Sequence, residues 1–188
     1  MLSSPREIRV LAVVGTGVMG QGIAQIAAQG GLEVRLFDAQ DGAAQRARDA
    51  LAATWARLEA RGSMDAAAVA AALQRVQVCT TLQALAGADL VVEAIAERLD
   101  AKQALFQQIE AVVGPDCVLA TNTSSLSVTA IASACTIPQR VAGWHFFNPV
   151  PRMKLVEVCF PDGTEGARET ALAWCAALFL ATRFFGQW

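Results

Sequence analysis

The sequence predicts an α/β fold, a doubly wound and mainly parallel sheet with an inserted helical hairpin. Two observations support this class. Short apolar segments typical of buried strands alternate with segments whose apolar residues recur at helical spacing, and this alternation indicates a sheet covered on both faces. The 188 residues are 54% hydrophobic and 17% charged, which suits one folded domain and excludes intrinsic disorder.

The first elements follow from local patterns. Ile8–Val14 is short, β-branched and apolar, and it is expected to form a buried strand. From Val18 the apolar residues recur every three or four positions, which predicts a helix that ends at Gly30. Glu33–Phe37 is a second strand. Two helices then form the hairpin, one over about 41–60 and one over about 65–73 that Asp65 caps.

The rest of the chain continues the alternation of strands and helices. The further strands are predicted at Val76–Cys79, Leu90–Ile95, Cys117–Ala120, Val141–Phe147 and Leu155–Phe160. The further helices are predicted over Asp100–Val113, capped by Asp100, over Ser127–Ala134, and from about Thr164 onward. The apolar and aromatic end of the chain shows no strand alternation, and no strand is predicted there.

Composition excludes several classes of function. The net charge of −2 argues against a nucleic-acid partner. The longest strictly apolar run, Ala171–Ala181, has eleven residues, whereas a membrane span needs about 18–20. Five cysteines without C-x-x-C spacing indicate reduced, buried thiols and a cytoplasmic location. A single histidine, His145, makes a histidine-rich metal site impossible, so no metal is expected.

A glycine-rich turn joins the first strand to the first helix. It matches the pattern G-x-G-x-x-G, with the sequence Gly15-Thr16-Gly17-Val18-Met19-Gly20. In such a turn Gly15 permits the tight bend, Gly17 lets the backbone approach a pyrophosphate, and Gly20 lets helix and strand pack closely. Val18 and Met19 open the helix, whose N–H groups face the phosphates. The turn therefore predicts a dinucleotide site.

An acidic residue at the end of the second strand specifies the nucleotide. Asp38 lies 23 residues after Gly15, near the spacing of about 20 expected for a ribose ligand. Its carboxylate can accept hydrogen bonds from the adenosine ribose and would repel a 2′-phosphate. No arginine follows it directly, so NAD is favoured over NADP.

Three further segments accompany the glycine loop and the start of its helix, Gly17–Ala24, in a fixed order: Val92–Arg98, Asn122–Ser127, and His145–Pro151 with Met153–Val158. Together they make residues 6–160 resemble the L-3-hydroxyacyl-CoA dehydrogenase family, which includes the bacterial 3-hydroxybutyryl-CoA dehydrogenases. The resemblance implies a Rossmann-type domain and reversible oxidation of a 3-hydroxyacyl-CoA to the 3-oxoacyl-CoA, with hydride passing to NAD.

The resemblance assigns catalytic roles to His145 and Glu157. Oxidation of an alcohol needs a base for the hydroxyl proton, and histidine is the side chain whose ordinary pKa lies nearest neutrality. Glu157 lies twelve residues later, beyond a short proline-containing connection that can bring the two together. A carboxylate there would fix the imidazole tautomer and stabilise the imidazolium.

The resemblance also implies contacts around the reacting atoms. Ser124 matches the family serine that binds the substrate oxygen beside the nicotinamide, and Asn122 and Asn148 match neighbours that contact cofactor or substrate. Glu97 and Lys102 match contacts to the nicotinamide half of NAD. Two plainer interpretations stay open: residues 121–125 as a helix-capping loop, and Lys102 as an ordinary solvated residue at a helix start.

The helical hairpin matches the part of the family's fold that lines the acyl-CoA site. Thr54 and Arg61 correspond to a hydroxyl and a basic residue that contact CoA in relatives, and their spacing of seven puts them on one helix face. Arg61 stays open as a solvated arginine. The neighbouring arginines could serve in its place: Arg46, Arg48 and Arg57.

Relatives continue into an all-helical domain that forms most of the dimer interface and supplies a further catalytic asparagine. Residues 1–188 are expected to be the NAD-binding domain alone, with self-association undetermined. An isolated N-terminal domain, a fragment of a longer protein and a truncated gene product all remain open.

Three functions therefore compete. The first is an NAD-dependent dehydrogenase of short-chain 3-hydroxyacyl-CoA. The second is a non-catalytic NAD-binding module. The third is a dehydrogenase of another hydroxy acid, which the His145–Pro149 and Asn122–Ser125 segments disfavour.

Overall fold

A computed structural model describes residues 8–153 and 155–161, Arg168, and the backbone of a last strand at 181–185. Eight strands form one sheet. In chain order they are β1 Val10–Val14, β2 Glu33–Phe37, β3 Val76–Val78, β4 Leu90–Glu93, β5 Val118–Thr121, β6 Val141–Phe146, β7 Leu155–Cys159 and β8 Ala181–Phe185.

Five α-helices and two short 3₁₀ helices lie between the strands in the described part of the chain. The α-helices are α1 Val18–Gln29, α2 Ala43–Ala60, α3 Ala66–Arg75, α4 Leu99–Glu110 and α5 Val128–Ala132. The 3₁₀ helices are Leu82–Leu85 and Pro138–Arg140. None of these helices is long and apolar enough to cross a bilayer.

The strand order confirms the predicted doubly wound fold. The order is β3-β2-β1-β4-β5-β6-β7-β8, and every neighbouring pair from β3 to β6 is parallel. The strand order reverses at β1, because β2 and β3 lie on one side of it and β4 to β6 on the other. A crevice therefore opens at the carboxyl ends of β1 and β4, where ligands bind in folds of this type. β7 runs antiparallel to β6.

Apolar side chains on alternate strand positions fill two cores. In β1, Leu11 and Val13 face the core under α1, α2 and α3, whereas Ala12 and Val14 face the core under α4 and α5. This two-sided burial explains why the strand sequences are continuously apolar. The α2–α3 hairpin packs on the same face of the sheet as Leu11 and Val13, through the fully buried Trp55.

The predicted start of the fourth α-helix is wrong by two residues. The N-cap is Arg98, and Asp100 lies in the first turn, where its negative charge favours the positive end of the helix dipole. The predicted cap of α3 is confirmed, because the Asp65 carboxylate accepts a hydrogen bond of 2.7 Å from the backbone N–H of Ala68.

The prediction of no strand at the end of the chain is also wrong. β8 pairs in parallel with β7 from Leu155↔Ala181 to Cys159↔Phe185. Backbone pairing with a distant segment creates this strand, so it needs no alternating pattern. The predicted helix from about Thr164 lies outside the described residues.

Candidate active site

Most of the site residues predicted from the motifs lie at one edge of the sheet. Gly15 follows β1, Asp38 follows β2, and Asn122 and Ser124 follow β5. His145 lies near the end of β6. Because parallel strands end at the same edge, the fold collects segments from distant parts of the sequence around one crevice.

The glycine loop has the geometry that its sequence predicts. Gly15 has a φ of +93°, and a Cβ there would lie 2.7 Å from the backbone carbonyl of Ala94. A Cβ on Gly20 would lie 1.9 Å from the Gly15 oxygen, so α1 packs directly on the turn. Only glycine therefore fits either position.

The third glycine fits a different purpose. A Cβ on Gly17 would meet nothing within 4 Å, so packing within the chain does not require glycine there. Gly17 is the N-cap of α1, and no side chain forms a capping hydrogen bond at this end of the helix. The helix begins at the exposed Val18, which Met19 follows. Open space beside an uncapped helix N-terminus fits a pyrophosphate.

Asp38 is held against the glycine loop. Its Oδ2 accepts hydrogen bonds of 2.7 and 2.8 Å from the N–H and hydroxyl of Thr16, and its Oδ1 accepts one from the N–H of Gln40. Burial raises the pKa of the Asp38 carboxyl, but these hydrogen bonds and the charge of Arg46 outweigh it and leave the pKa below its ordinary value. The group is therefore an anion at neutral pH.

His145 and Glu157 meet as the spacing predicts. They are directly opposite each other in the β6–β7 pair, and the Nδ1 of His145 lies 3.0 Å from Oε2 of Glu157. The side chains are 20% and 16% exposed. If Nδ1 carries the proton and donates to the carboxylate, Nε2 is the basic nitrogen. The Phe147 ring packs against the imidazole with centroids 4.6 Å apart.

The two asparagines differ in their surroundings. The Oδ1 of Asn122 accepts a hydrogen bond of 2.9 Å from the N–H of Phe146, next to the catalytic candidate His145. Asn122 therefore fixes the end of β6 to the end of β5. Asn148 is exposed at the start of the loop after β6. That loop packs on α1, since a Cβ on Gly22 would lie 2.8 Å from the Val150 side chain.

Glu97 organises the loop that carries Ser124. Its Oε1 accepts hydrogen bonds from the Thr123 hydroxyl, from the N–H of Ser124 at 3.0 Å and from the N–H of Ser125 at 3.3 Å. Burial raises the pKa of the Glu97 carboxyl, but these bonds and the Lys102 ammonium outweigh it, so the net pKa is lowered. Ser124 is exposed, as a substrate contact must be.

The structure does not support the predicted cofactor contact of Lys102. Its side chain has no accessible surface, so a ligand cannot touch the ammonium. Nζ lies 2.6 Å from Oε1 of Glu93 and 3.4 Å from Oε2 of Glu97. Glu93 was not among the predicted site residues, although an acid inside an apolar strand is an unusual residue there.

The residues predicted to contact acyl-CoA lie along α2. The Thr54 hydroxyl donates to the carbonyl of Ala50 at 2.9 Å and accepts from Arg57 at 3.0 Å. Arg61 is exposed at the C-cap, just after the helix. Arg57, one of the alternatives left open, is thus the arginine in contact with Thr54. The Arg48 guanidinium donates to the carbonyl of Val76.

The four described cysteines lie in the core of the protein. Cys79, Cys117, Cys135 and Cys159 are buried, and Cys175 lies outside the described residues. Burial, which the charge of Glu110 reinforces, raises the pKa of the Cys135 thiol to about 11. Within the part of the chain that the structure describes, no three potential metal-ligating side chains cluster together.

Comparison with known proteins decides the family. Residues 10–178 match the family model "3-hydroxyacyl-CoA dehydrogenase, NAD binding domain". The chain belongs to this family. The match extends beyond residue 160, where the motifs of the family end in this sequence, and it agrees with the expected NAD-binding fold.

Curated relatives and solved structures agree with this membership of the family. The chain is 48% identical over 152 residues to 3-hydroxyadipyl-CoA dehydrogenase of Escherichia coli (strain K12), covering 81% of this chain and 32% of the relative. It is 43% identical over 166 residues to a probable 3-hydroxybutyryl-CoA dehydrogenase of Bacillus subtilis (strain 168), covering 88% and 57%. A crystal structure of (S)-3-hydroxybutyryl-CoA dehydrogenase from Ralstonia eutropha superposes with a TM-score of 0.93 at 35% identity, covering 97% and 65%.

The chain thus spans one third to rather more than half of the length of these two curated relatives of the family.

Proposed function

We propose that this chain binds NAD and contributes the base for oxidation of an L-3-hydroxyacyl-CoA, such as 3-hydroxybutyryl-CoA, to the 3-oxoacyl-CoA. One observation carries the proposal. A histidine paired with a carboxylate, His145 with Glu157, lies at the sheet edge that also holds the glycine loop. A base and a nucleotide site at one crevice are the requirements for hydride transfer from an alcohol.

The side chains of this site remove the hydroxyl proton of the substrate and orient its oxygen. His145 takes the hydroxyl proton at Nε2 while the carbon–hydrogen bond electrons leave as hydride. Glu157 keeps Nδ1 as the donor and stabilises the imidazolium that forms. The Ser124 hydroxyl donates to the substrate oxygen and orients it. NAD, when bound, accepts the hydride.

The proposed cofactor contacts are the glycine loop, Asp38 for the ribose, Glu97, and Asn122 and Asn148 near the nicotinamide. Thr54 and Arg61 are the proposed contacts to CoA, and the observed bond between Thr54 and Arg57 adds Arg57 to them. Arginine suits this place because its guanidinium binds phosphate through two hydrogen bonds.

The experiment is NADH oxidation by the purified chain with acetoacetyl-CoA, monitored at 340 nm, with His145→Gln as the control. Turnover that the control lacks supports the dehydrogenase. NADH binding without turnover favours the non-catalytic module instead. Turnover of free acetoacetate at the same rate would contradict recognition of the CoA ester and favour another hydroxy acid.

Asp38 is expected to determine the choice of nucleotide. Asp38→Ala removes the ribose acceptor and the negative charge, so the affinity for NADH should fall by about tenfold to a hundredfold, the effect of one hydrogen bond to a charged group. Discrimination against NADPH should relax at the same time. Fluorescence titration of Asp38→Ala with NADH and with NADPH measures the two affinities.

Asp38→Asn is the matched control, because asparagine keeps an acceptor for Thr16 while removing the charge. It should relax discrimination and leave the loop intact. An unchanged NADH/NADPH preference in both variants would exclude Asp38 as the ribose ligand.

A further inference from the structure

A fully buried carboxylate at the end of β4 has no role in the reaction described above. Oε1 of Glu93 accepts hydrogen bonds of 2.6 Å from both the N–H of Ile95 and the Lys102 ammonium. Oε2 accepts one of 2.7 Å from the Thr121 hydroxyl. Because a buried ion pair is often no more stable than apolar side chains of the same volume, stability alone does not account for this pair.

Lys102 connects this carboxylate to a second one at the surface. Its ammonium lies 3.4 Å from Oε2 of Glu97, whose other oxygen holds the N–H groups of Ser124 and Ser125. One buried cation is therefore shared between an inner carboxylate, Glu93, and an outer one. The outer carboxylate is in turn shared between the cation and the loop of Ser124.

We propose that Glu93 is a positioning residue for the loop that carries Ser124. Glu93 neutralises the charge of Lys102 from the inside and leaves Glu97 turned toward the loop. With Glu93 uncharged, Glu97 becomes the one counterion of the ammonium that remains among the described residues. Attraction in this poorly solvated place then draws the Glu97 carboxylate inward and away from Ser124 and Ser125.

The consequence for catalysis rests on the proposed function, in which the Ser124 hydroxyl orients the substrate oxygen. A loop that loses its acceptor no longer holds this hydroxyl in one place. Misplacement of a reacting group by about 1 Å is enough to cost about a hundredfold in rate. Glu93 touches neither cofactor nor substrate, because its side chain has no accessible surface.

Glu93→Gln tests the inference. Glutamine keeps the shape, an oxygen for Lys102 and Ile95, and a polar group for Thr121, and it removes only the charge. NMR-detected hydrogen exchange of the Ser124 and Ser125 amides should accelerate by about tenfold, which corresponds to loss of one hydrogen bond. The kcat should fall by about tenfold to a hundredfold, with the KM for NADH within about threefold.

The double variant Glu93→Gln/Lys102→Gln provides a rescue that a merely structural role does not predict. It removes the cation together with its inner partner, so nothing draws Glu97 inward. Exchange at Ser124 and Ser125 should return to within about threefold of the wild-type rates. Exchange as fast as in the single variant would overturn the proposal.

The matched control is Glu110→Gln, at the other end of α4 and about 12 Å along the helix from Lys102. The Glu110 carboxylate also pairs with a buried cation, Arg140, and accepts the N–H groups of Thr136 and Ile137. Its variant should accelerate exchange at Thr136 and Ile137, leave Ser124 and Ser125 unchanged, and keep kcat within about twofold.

Unchanged exchange at Ser124 and Ser125 in folded Glu93→Gln overturns the proposal. If that variant does not fold, Glu93→Asp is measured in its place. Aspartate keeps the charge but is one methylene shorter, so the carboxylate moves away from Lys102 and exchange at Ser124 and Ser125 should again accelerate. Unchanged exchange in Glu93→Asp overturns the proposal. Hydrogen exchange is measured on the protein without ligands and does not depend on turnover. A wild-type chain without turnover would therefore contradict the proposed function, whereas the exchange rates would still test the role of Glu93 in holding the loop.

Discussion

His145→Gln is expected to abolish turnover while leaving NADH binding within about threefold of wild type. Glutamine has similar bulk and can hydrogen-bond to Glu157, but near neutral pH it can neither accept the proton in the oxidation nor donate it in the reverse reduction. Loss of a general base lowers rates by about 10²- to 10⁴-fold, so kcat for acetoacetyl-CoA should fall by about 10³-fold. Steady-state kinetics and fluorescence titration of NADH measure the two quantities.

The separation of the two effects is what identifies the base. His145 is on β6 and pairs with β7, whereas the predicted pyrophosphate contacts are on the loop after β1. A variant that folds and binds NADH but does not turn over has lost chemistry and not the cofactor. Residual turnover near the wild-type rate would show that another group takes the proton. Parallel loss of NADH affinity would show that the substitution disturbs the sheet edge.

The pairing of His145 with Glu157 was predictable from sequence for a simple reason. The two lie in strands joined by a short connection, and such strands pair as antiparallel neighbours, which places residues at matched positions opposite each other. The glycine turn was predictable because the positive φ of Gly15 and the contact of Gly20 with the Gly15 oxygen both arise within one strand–turn–helix unit. Both predictions needed only local geometry.

The burial of Lys102 was not predictable in this way. Lysine is almost never fully buried unless it is paired, and its partner Glu93 comes from the end of β4, nine residues earlier. Only packing of α4 against the sheet brings the two together. The strand β8 depends in the same way on a segment far along the chain, because its hydrogen bonds are made with β7.

The second large effect concerns two glycines of one loop, Gly20 and Gly17. Alanine at either position should weaken NADH binding, but for different reasons. Gly20→Ala places a Cβ 1.9 Å from the Gly15 oxygen and 3.2 Å from a Val13 methyl. The first clash is with backbone, so no change of rotamer relieves it, and α1 must move. Overpacking of this kind costs about 1–3 kcal/mol, which corresponds to a Tm lower by roughly 2–12 °C, and NADH binding should be lost as well.

Gly17→Ala should leave the fold intact and still weaken NADH binding. The added Cβ meets no atom within 4 Å, and the backbone, with a φ of −66°, suits alanine. The Tm should therefore stay within about 2 °C of wild type. The methyl group occupies the space proposed for the pyrophosphate, so NADH affinity should fall by about thirtyfold or more.

The contrast between the two variants separates the needs of the fold from those of the ligand. Calorimetry and NADH titration of Gly17→Ala and Gly20→Ala give four values, of which only the Tm of Gly17→Ala should match wild type. Normal NADH affinity in Gly17→Ala would exclude close approach of a pyrophosphate to this turn. A Tm of Gly17→Ala as low as that of Gly20→Ala would mean that the open space at Gly17 is filled by the chain itself. The expected pattern assigns Gly20 to helix packing and Gly17 to the cofactor.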